Sequence, residues 1–346
     1  LAISGSIFAY AFQKTQSESK KGESDVQNIS VESENQTKEP LIEKSTTFAI
    51  AGDVMLDRNV WHNFKDIGLP RIFDNFDLNI FKTADFSLLN LEGPISQNAI
   101  DDDCCSGSMI FNFPPETIDL LQFAGIKNVS LANNHTYNAG KNNFVFTQNL
   151  LKENNIQNFG RQIGFNQEED ILRLDTDIPI SIIGLDALAE YIPAEITDAI
   201  AQEKSAGRFV ILFPHWGVEY LHADHHSSQE SLATSWIQAG ADLIIGSHPH
   251  VVEDVTVIDN VPVIYSLGNF IFDQYFSTET QQGLVLTGKI TEKSIEITFN
   301  PFKSTKSRPS LLTETEKTDF IQNVLKLNST SNYTFIEPAS ILVNRP

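Results

Sequence analysis

His248 and His250 stand on either side of Pro249, just past the apolar run 243–245 and the Gly246-Ser247 that ends it. Imidazoles two residues apart at a strand end can both turn toward one ion lying beyond the strand. A pair of exposed loop histidines is the plain alternative, and the spacing by itself does not choose between them. Other residues of ligating type end other apolar runs: Asp53, Glu92, Asn134 and His215. Together these carboxylate, amide and imidazole donors suit Zn, Mn or Fe. A carboxylate such as Glu92 can bridge two ions about 3.5–4 Å apart, and such a pair activates a water and clamps an anionic oxygen during hydrolysis.

Several neighbours could assist or merely support. Arg58 follows Asp53 closely and either grips a substrate carboxylate or phosphate with its bidentate fork or makes a surface salt bridge. Asn269 either contacts substrate or caps its strand. Trp216 and Phe270 flank ligand positions, where packing is the plainer role. His222, His225 and His226 read as solvent-exposed loop imidazoles. Asp101-Asp-Asp-Cys-Cys105 reads as an exposed loop. Adjacent cysteines rarely reach disulfide geometry, so Cys104 and Cys105 give neither a disulfide framework nor a Cys-rich zinc module.

The elements that must hold these residues are short and alternate in type. Apolar, β-branched runs at 48–51, 86–89, 129–132, 210–213, 243–245 and 261–265 read as buried strands. Residues 115–125 begin at Pro and stop at Gly, and residues 231–240 also stop at Gly; both read as helices, with another at 314–327. Strands alternating with helices make an α/β domain. In such folds ligands bind at the carboxyl ends of the strands, where six polar clusters would meet at one rim.

The bulk composition limits the function classes. Of 346 residues, 41% are hydrophobic and 20% charged, as in a folded globular protein. With 24 Lys and Arg against 45 Asp and Glu, the net charge of −21 repels phosphate backbones and argues against nucleic acid as a partner. Residues 1–12 are mostly apolar but short of the ~20 needed to span a bilayer. They read as the truncated end of a membrane anchor or signal segment. Residues 13–46, rich in Ser, Glu, Lys, Gln and Asn, read as a disordered polar tether. An anchor followed by a tether implies a domain held away from a membrane.

The clusters occur in the order Gly52-Asp53, Asn90-Leu-Glu-Gly-Pro94, Leu131-Ala-Asn-Asn-His135, His215-Trp-Gly217, Gly246-Ser-His-Pro-His250 and Ser266-Leu-Gly-Asn-Phe270. As an ordered set over residues 46–300 they resemble the CapA (PgsA) family of poly-γ-glutamate capsule biosynthesis proteins, which is similar to calcineurin-like metallophosphoesterases. The resemblance implies a metallophosphoesterase-like α/β/β/α sandwich over 47–300 with a strand-end metal site, and residues 301–346 as a C-terminal extension packing on it. It implies one or two divalent transition metals. Asp53 and His250 would hold the first, Asn134, His215 and His248 the second, with Glu92 as bridge. His135 would be the proton donor or charge stabiliser near the leaving group.

Two positions depart from the pattern. Where the superfamily carries Asp-x-His, this chain has Asp53-Val54-Met55, and a thioether is a poor ligand for a hard divalent ion. Where the family often has an acid after Asn-Asn-His, Asn138 keeps the hydrogen bonding without the charge. The resulting expectation is an anchored hydrolase-like protein of capsule biosynthesis, on the extracytoplasmic side of the cell membrane. It would use metal-activated water on a phosphoester or amide bond. Its partners would be an anionic polymer such as poly-γ-glutamate and membrane synthase subunits. A non-catalytic polymer-binding subunit and a nucleotidase or phosphodiesterase are the alternatives.

Overall fold

Phe48 and Ile50 face one side of the strand β1 (Ser45–Val54), Ala49 and Ala51 face the other, and all four are buried. A strand buried on both faces needs a packed layer on each. The computed structural model supplies both; it describes residues 43–97, 109–188, 192, 194–327, 332–337 and 339–345. After β1 come α1 (Arg58–Phe64), α2 (Asn79–Lys82), β2 (Phe86–Leu91), α3 (Thr117–Ala124), β3 (Asn128–Ser130), α4 (Gly140–Glu153) and β4 (Gln157–Phe159). The chain continues through β5 (Ile171–Leu174), β6 (Ile180–Asp186), α5 (Glu195–Ser205), β7 (Phe209–His215), α6 (Ser227–Ala239), β8 (Leu243–Ile245), β9 (Val255–Ile258) and β10 (Val261–Ile264). It closes with β11 (Asn269–Ile271), β12 (Gln282–Thr291), β13 (Ser294–Thr305), β14 (Arg308–Leu311), α7 (Glu314–Asn323), β15 (Thr334–Glu337) and β16 (Ser340–Asn344).

Two sheets result. One runs β15-β16-β13-β12-β1-β2-β3-β4, with β11 beside β1 and β14 beside β13; the other runs β5-β6-β7-β8-β10-β9. Phe48, Ile50, Phe86 and Leu88 of the first sheet pack with Ile182, Ile211, Phe213 and Ile245 of the second. The outer face of the first sheet, with Ala51, Leu89 and Val129, is covered by Ile118 and Leu121 of α3 and Leu151 of α4. On the far side Ile183, Leu212 and Ile244 meet Ile196 and Ile200 of α5 and Trp236 of α6. This is an α/β/β/α sandwich, as the family resemblance implies. Each such aliphatic or aromatic side chain contributes about 1.5–3 kcal/mol by leaving water.

The parallel pairs matter most for function. β1, β2 and β3 run parallel in one sheet, and β6, β7, β8 and β10 in the other, so the carboxyl ends of each set share an edge. Boundaries shift where local chemistry decides. α6 begins at Ser227, ahead of residue 231, because the His226 imidazole accepts the Ser228 N–H and the Gln229 side chain accepts the His226 N–H. α7 stops at Asn323, short of residue 327.

The tether expected to reach residue 46 ends earlier among the described residues. Ser45 and Thr46 already pair with β12, and Thr46 Oγ1 accepts the Ile178 N–H at 2.9 Å. Residue 300, the expected edge of the main domain, lies inside β13, and β14 and β16 both pair with that strand. The anchor-like residues 1–12 and the loop 101–105 lie outside the described residues. Among the described residues no helix is long and apolar enough to cross a membrane.

Candidate metal centre

The register of β1 on β2 sets Asp53 beside Asn90, and the backbone carries Glu92 past the end of β2. Both carboxylates are fully buried. Asn90 Nδ2 donates to Asp53 Oδ1 at 2.8 Å and to Glu92 Oε2 at 3.3 Å, so one amide is shared by the two acids. The other Asp53 oxygen accepts the His248 N–H at 3.2 Å. From the second sheet, His250 Nδ1 lies 3.4 Å from Asp53 Oδ2 and its Nε2 3.5 Å from Glu92 Oε1. The ligand atoms of Asp53, Glu92 and His250 fall within 4.8 Å of one another.

Asn134, His215 and His248 gather next to them. His215 Nε2 and Asn134 Oδ1 are 3.0 Å apart, and the rings of His215 and His248 are 4.8 Å apart. His215 Nδ1 meets Ser247 Oγ at 3.0 Å, and Ser247 in turn reaches Pro214 O at 3.3 Å. With the ring proton on Nδ1, both Nε2 and the amide oxygen offer lone pairs to the same point. His250 follows the same logic: its Nδ1 donates to Asn269 Oδ1 at 3.0 Å, leaving Nε2 bare. Metal-binding imidazoles are usually oriented in this way through their other nitrogen. The two histidines reach their positions by local strain. His248 has φ 98° and His250 φ 59°, conformations that cost side-chain-bearing residues of order 1–3 kcal/mol each.

The electrostatics fit a cation. Burial, followed by the nearby Asp53 charge, holds Glu92 well above the usual carboxylate range. Burial and the neighbouring His248 hold His215 well below the usual imidazole range, and burial and His250 lower His248 to about 4. Uncharged imidazoles are the form that ligates a metal. Glu92 Oε1 and His248 Nδ1 are buried and have no hydrogen-bond partner. Buried polar atoms are rarely left unmade, and a divalent ion would satisfy both. The donor set of O and N atoms therefore fits a divalent transition metal.

His135 lies at the rim of this group, its Nε2 4.0 Å from Glu92 Oε1. Asn138 Oδ1 meets His135 Nδ1 at 2.9 Å and also accepts the Phe111 N–H at 2.8 Å, which fixes the ring and lays it 4.2 Å from the Phe111 ring. Burial lowers the His135 pKa, so the ring is neutral at pH 7. Arg58 is ion-paired with Asp273, with its guanidinium 4.9 Å from the Phe111 centroid.

Other positions resolve toward packing. Trp216 stacks on Trp236 at 5.4 Å and donates Nε1–H to Tyr265 O. Phe270 packs among Phe73, Phe76, Phe81 and Phe302. Asn269 orients His250 and donates to Gln274 Oε1 and Thr280 O. Met55 is fully buried, and its Sδ accepts the Asp57 N–H at 3.1 Å. The expectation of exposed loop imidazoles holds for His226, which caps α6 from the surface, and needs correction for the other two: His225 stacks 3.7 Å from Tyr265 and meets Asp254 Oδ1 at 2.7 Å, and His222 is half-buried.

The sequence reading gave no role to Asn90, although its motif was on view, nor to Asn133, Ser247 or Glu219. Asn133 donates Nδ2–H to Asn90 Oδ1 and to Leu91 O. Glu219 is exposed, yet it offers an oxygen within 4.8 Å of the ligand atoms of His248 and His250. Its only sequence signal is proximity to His215-Trp-Gly217.

The chain is 26% identical over 261 residues to a protein of Bacillus anthracis named "Capsule biosynthesis protein CapA", covering 69% of this chain and 62% of that one. It is 25% identical over 253 residues to "PGA biosynthesis protein CapA" of Bacillus subtilis (strain 168), covering 68% of this chain and 66% of the relative. In each case the match spans less than two thirds of the relative's own length. Residues 47–274, which hold every ligand-type residue placed above, match the family described as "Bacterial capsule synthesis protein PGA_cap", and the chain belongs to that family.

Proposed function

We propose that the protein is a metal-dependent, hydrolase-like component of poly-γ-glutamate capsule biosynthesis, acting on a phosphoester or amide bond. One observation carries the reading. Two donor groups converge from the strand ends of both sheets, and they leave Glu92 Oε1 and His248 Nδ1 buried without partners. Asp53, Glu92 and His250 would hold one ion and Asn134, His215 and His248 another. The polymer assignment is supported by the names of the two relatives.

Bound there, the ions would act as Lewis acids on the scissile group and lower the pKa of a coordinated water. The residues of the chain supply the remainder. Asn90 keeps the two carboxylates in place, and Asn269 and Ser247 fix the imidazole tautomers. His135, its Nδ1 set on Asn138, takes a proton from water and returns it to the leaving oxygen or nitrogen. Phe111 covers one face of that ring and limits water there. With a net charge of −21, the protein needs local cations to meet a polyanion, and the ions would provide them, since the Arg58 charge is already paired with Asp273. Residues 1–12 would anchor the domain on the extracytoplasmic side of the cell membrane, beside synthase subunits.

A second reading, a non-catalytic polymer-binding subunit, is favoured by one observation: Met55 stands where the superfamily has an imidazole, and its sulfur is taken by Asp57. Metal content by elemental analysis, followed by hydrolysis assays, separates the two. The assays would use a bis-aryl phosphodiester, a nucleotide and poly-γ-glutamate, on wild type and His135→Ala. Bound metal with turnover that falls in His135→Ala supports the hydrolase. Bound metal without turnover of any of the three supports the binding subunit. Turnover of the nucleotide alone would move the substrate to the nucleotidase class, and no bound metal would overturn the metal centre.

A further inference from the structure

The loop that follows His215 crosses the solvent side of the centre and is held there from two directions. The Tyr220 N–H donates to Pro249 O at 2.9 Å, binding the loop to the turn between His248 and His250. Tyr220 takes φ 67° to make this contact, and its ring lies 6.2 Å from that of His250. From the other direction Gln274 Nε2 donates to Tyr220 Oη at 3.2 Å. The residue before Tyr220 is therefore fixed over the two histidines. That residue is Glu219, and its oxygen lies within 4.8 Å of the ligand atoms of both His248 and His250.

Two further observations bear on what this carboxylate does. His248 is 6% exposed and its Nδ1 has no hydrogen-bond partner. Met55 supplies no ligand on the Asp53 side, because its sulfur already takes the Asp57 N–H. The centre is thus short of one donor, while a carboxylate from the facing loop stands at ligand distance.

We propose that Glu219 is a metal ligand on the His248–His250 side of the centre, a donor that reaches it from the solvent side. The proposal rests on the metal reading above and deepens it. His248 and His250 beside it are buried, and the His250 ring is held by Asn269, whereas Glu219 is exposed. An exposed carboxylate on a divalent ion is the ligand that an incoming carboxylate or phosphate oxygen displaces. Glu219 therefore closes the coordination in the resting protein and marks where an anionic substrate group enters.

The test uses the full chain as wild type, Glu219→Gln and Glu219→Asp, titrated with Mn²⁺ by calorimetry and followed by electron paramagnetic resonance of the bound ion. Gln keeps size and polarity but removes the charged donor. Its apparent affinity should fall at least about tenfold, the lower end of what losing even an outer partner of a metal site costs. The spectrum should change, and Asp should recover part of the affinity. Metal-free thermal unfolding should be the same in all three, since the side chain is exposed. Wild type that binds Mn²⁺ while Glu219→Gln binds it equally well, with the same spectrum, overturns the role of Glu219 and leaves the metal centre standing. Wild type that binds no Mn²⁺, Zn²⁺ or Fe²⁺ overturns both.

Discussion

Asn133 donates its side-chain N–H to Asn90 Oδ1 at 3.0 Å, across the carboxyl ends of two neighbouring parallel strands. That bond turns the other end of the Asn90 amide toward Asp53 and Glu92, so two motifs 43 positions apart in sequence share one task. Asn90→Ala removes the donor from both carboxylates and leaves two buried acids without the amide that positions them. Metal affinity should fall about 10–100-fold, as when an outer partner of a ligand is lost. Titration calorimetry with Mn²⁺ on wild type and variant would measure it, and equal affinities would show that Asn90 does not orient the acids.

Asn138 tests how much charge His135 needs. Its oxygen meets His135 Nδ1 at 2.9 Å, and burial already lowers that imidazole. Asn138→Asp places a carboxylate at the same point and should raise the His135 pKa, by Coulomb attraction to the imidazolium. Asn138→Ala should instead loosen the ring and free the Phe111 N–H. The His135 ring protons followed by NMR against pH give the direct reading. A pKa unchanged in Asn138→Asp would mean that the side chain has turned away from the ring.

How far such details could be read from sequence depends on the kind of contact. Strands such as β8, buried on both faces, announce themselves as continuous apolar runs, and Gly240 after α6 marks a stop because the chain takes φ 115° there. The ligand-type residues were legible because each follows such a run. Asn90 was not, since an amide in a fully buried strand looks like any polar residue until the register of β1 on β2 sets it beside Asp53. Nor was the Tyr265 stack that takes up His225, which joins residues 40 apart through tertiary packing alone. Glu219 escaped for the same reason: the turn at Pro249 that captures its loop is not local to it.

Metal uptake should release a proton. Burial and the Asp53 charge hold Glu92 well above 4.5 in the folded protein, so it carries a proton over a wider pH range than a free carboxylate. An ion that takes both Glu92 and Asp53 must displace it. His215 and His248 contribute little at pH 6, because their values are lowered. Calorimetry in buffers of different ionisation enthalpy at pH 6 should report up to about one proton per chain, fewer as pH rises, and none in a metal-binding Glu92→Gln. Release unchanged in that variant would assign the proton elsewhere.

Glu253 is fully buried beside α6. Its Oε2 accepts Gln229 Nε2–H at 2.7 Å, while Oε1 has no hydrogen-bond partner. Burial above all, with Asp254 and Asp224 adding to it, raises its pKa from 4.5 to about 9. A raised value means that the folded state holds the proton more tightly than the unfolded one. The stability this gives is fully present below 4.5 and is lost as pH rises through about 9. Glu253→Gln keeps an acceptor for Gln229 and cannot ionise. It should therefore gain on wild type between pH 5 and 9, by more than about 1.4 kcal/mol at the upper end, the worth of one pKa unit. Denaturant unfolding at several pH values gives the two curves, and parallel curves would show that Glu253 does not titrate in this window.

Gly52 precedes Asp53 at the point where β1 passes closest to the segment after β10. A Cβ built there would lie 2.0 Å from Gly268 O and 3.1 Å from the Leu267 Cβ. The first contact is with backbone, which cannot rotate away. The same crossing carries the bond from the Asp53 N–H to Gly268 O at 3.1 Å, so β1 cannot withdraw without moving a ligand. Gly52→Ala should cost about 3 kcal/mol, the upper end for overpacking a close contact. It should also weaken metal binding in whatever fraction stays folded, because Asp53 is the next residue. Unfolding by urea together with a Mn²⁺ titration would separate the two effects. A folded Gly52→Ala protein with wild-type affinity would mean that Asp53 keeps its place even when the strand beside Gly268 is pushed outward.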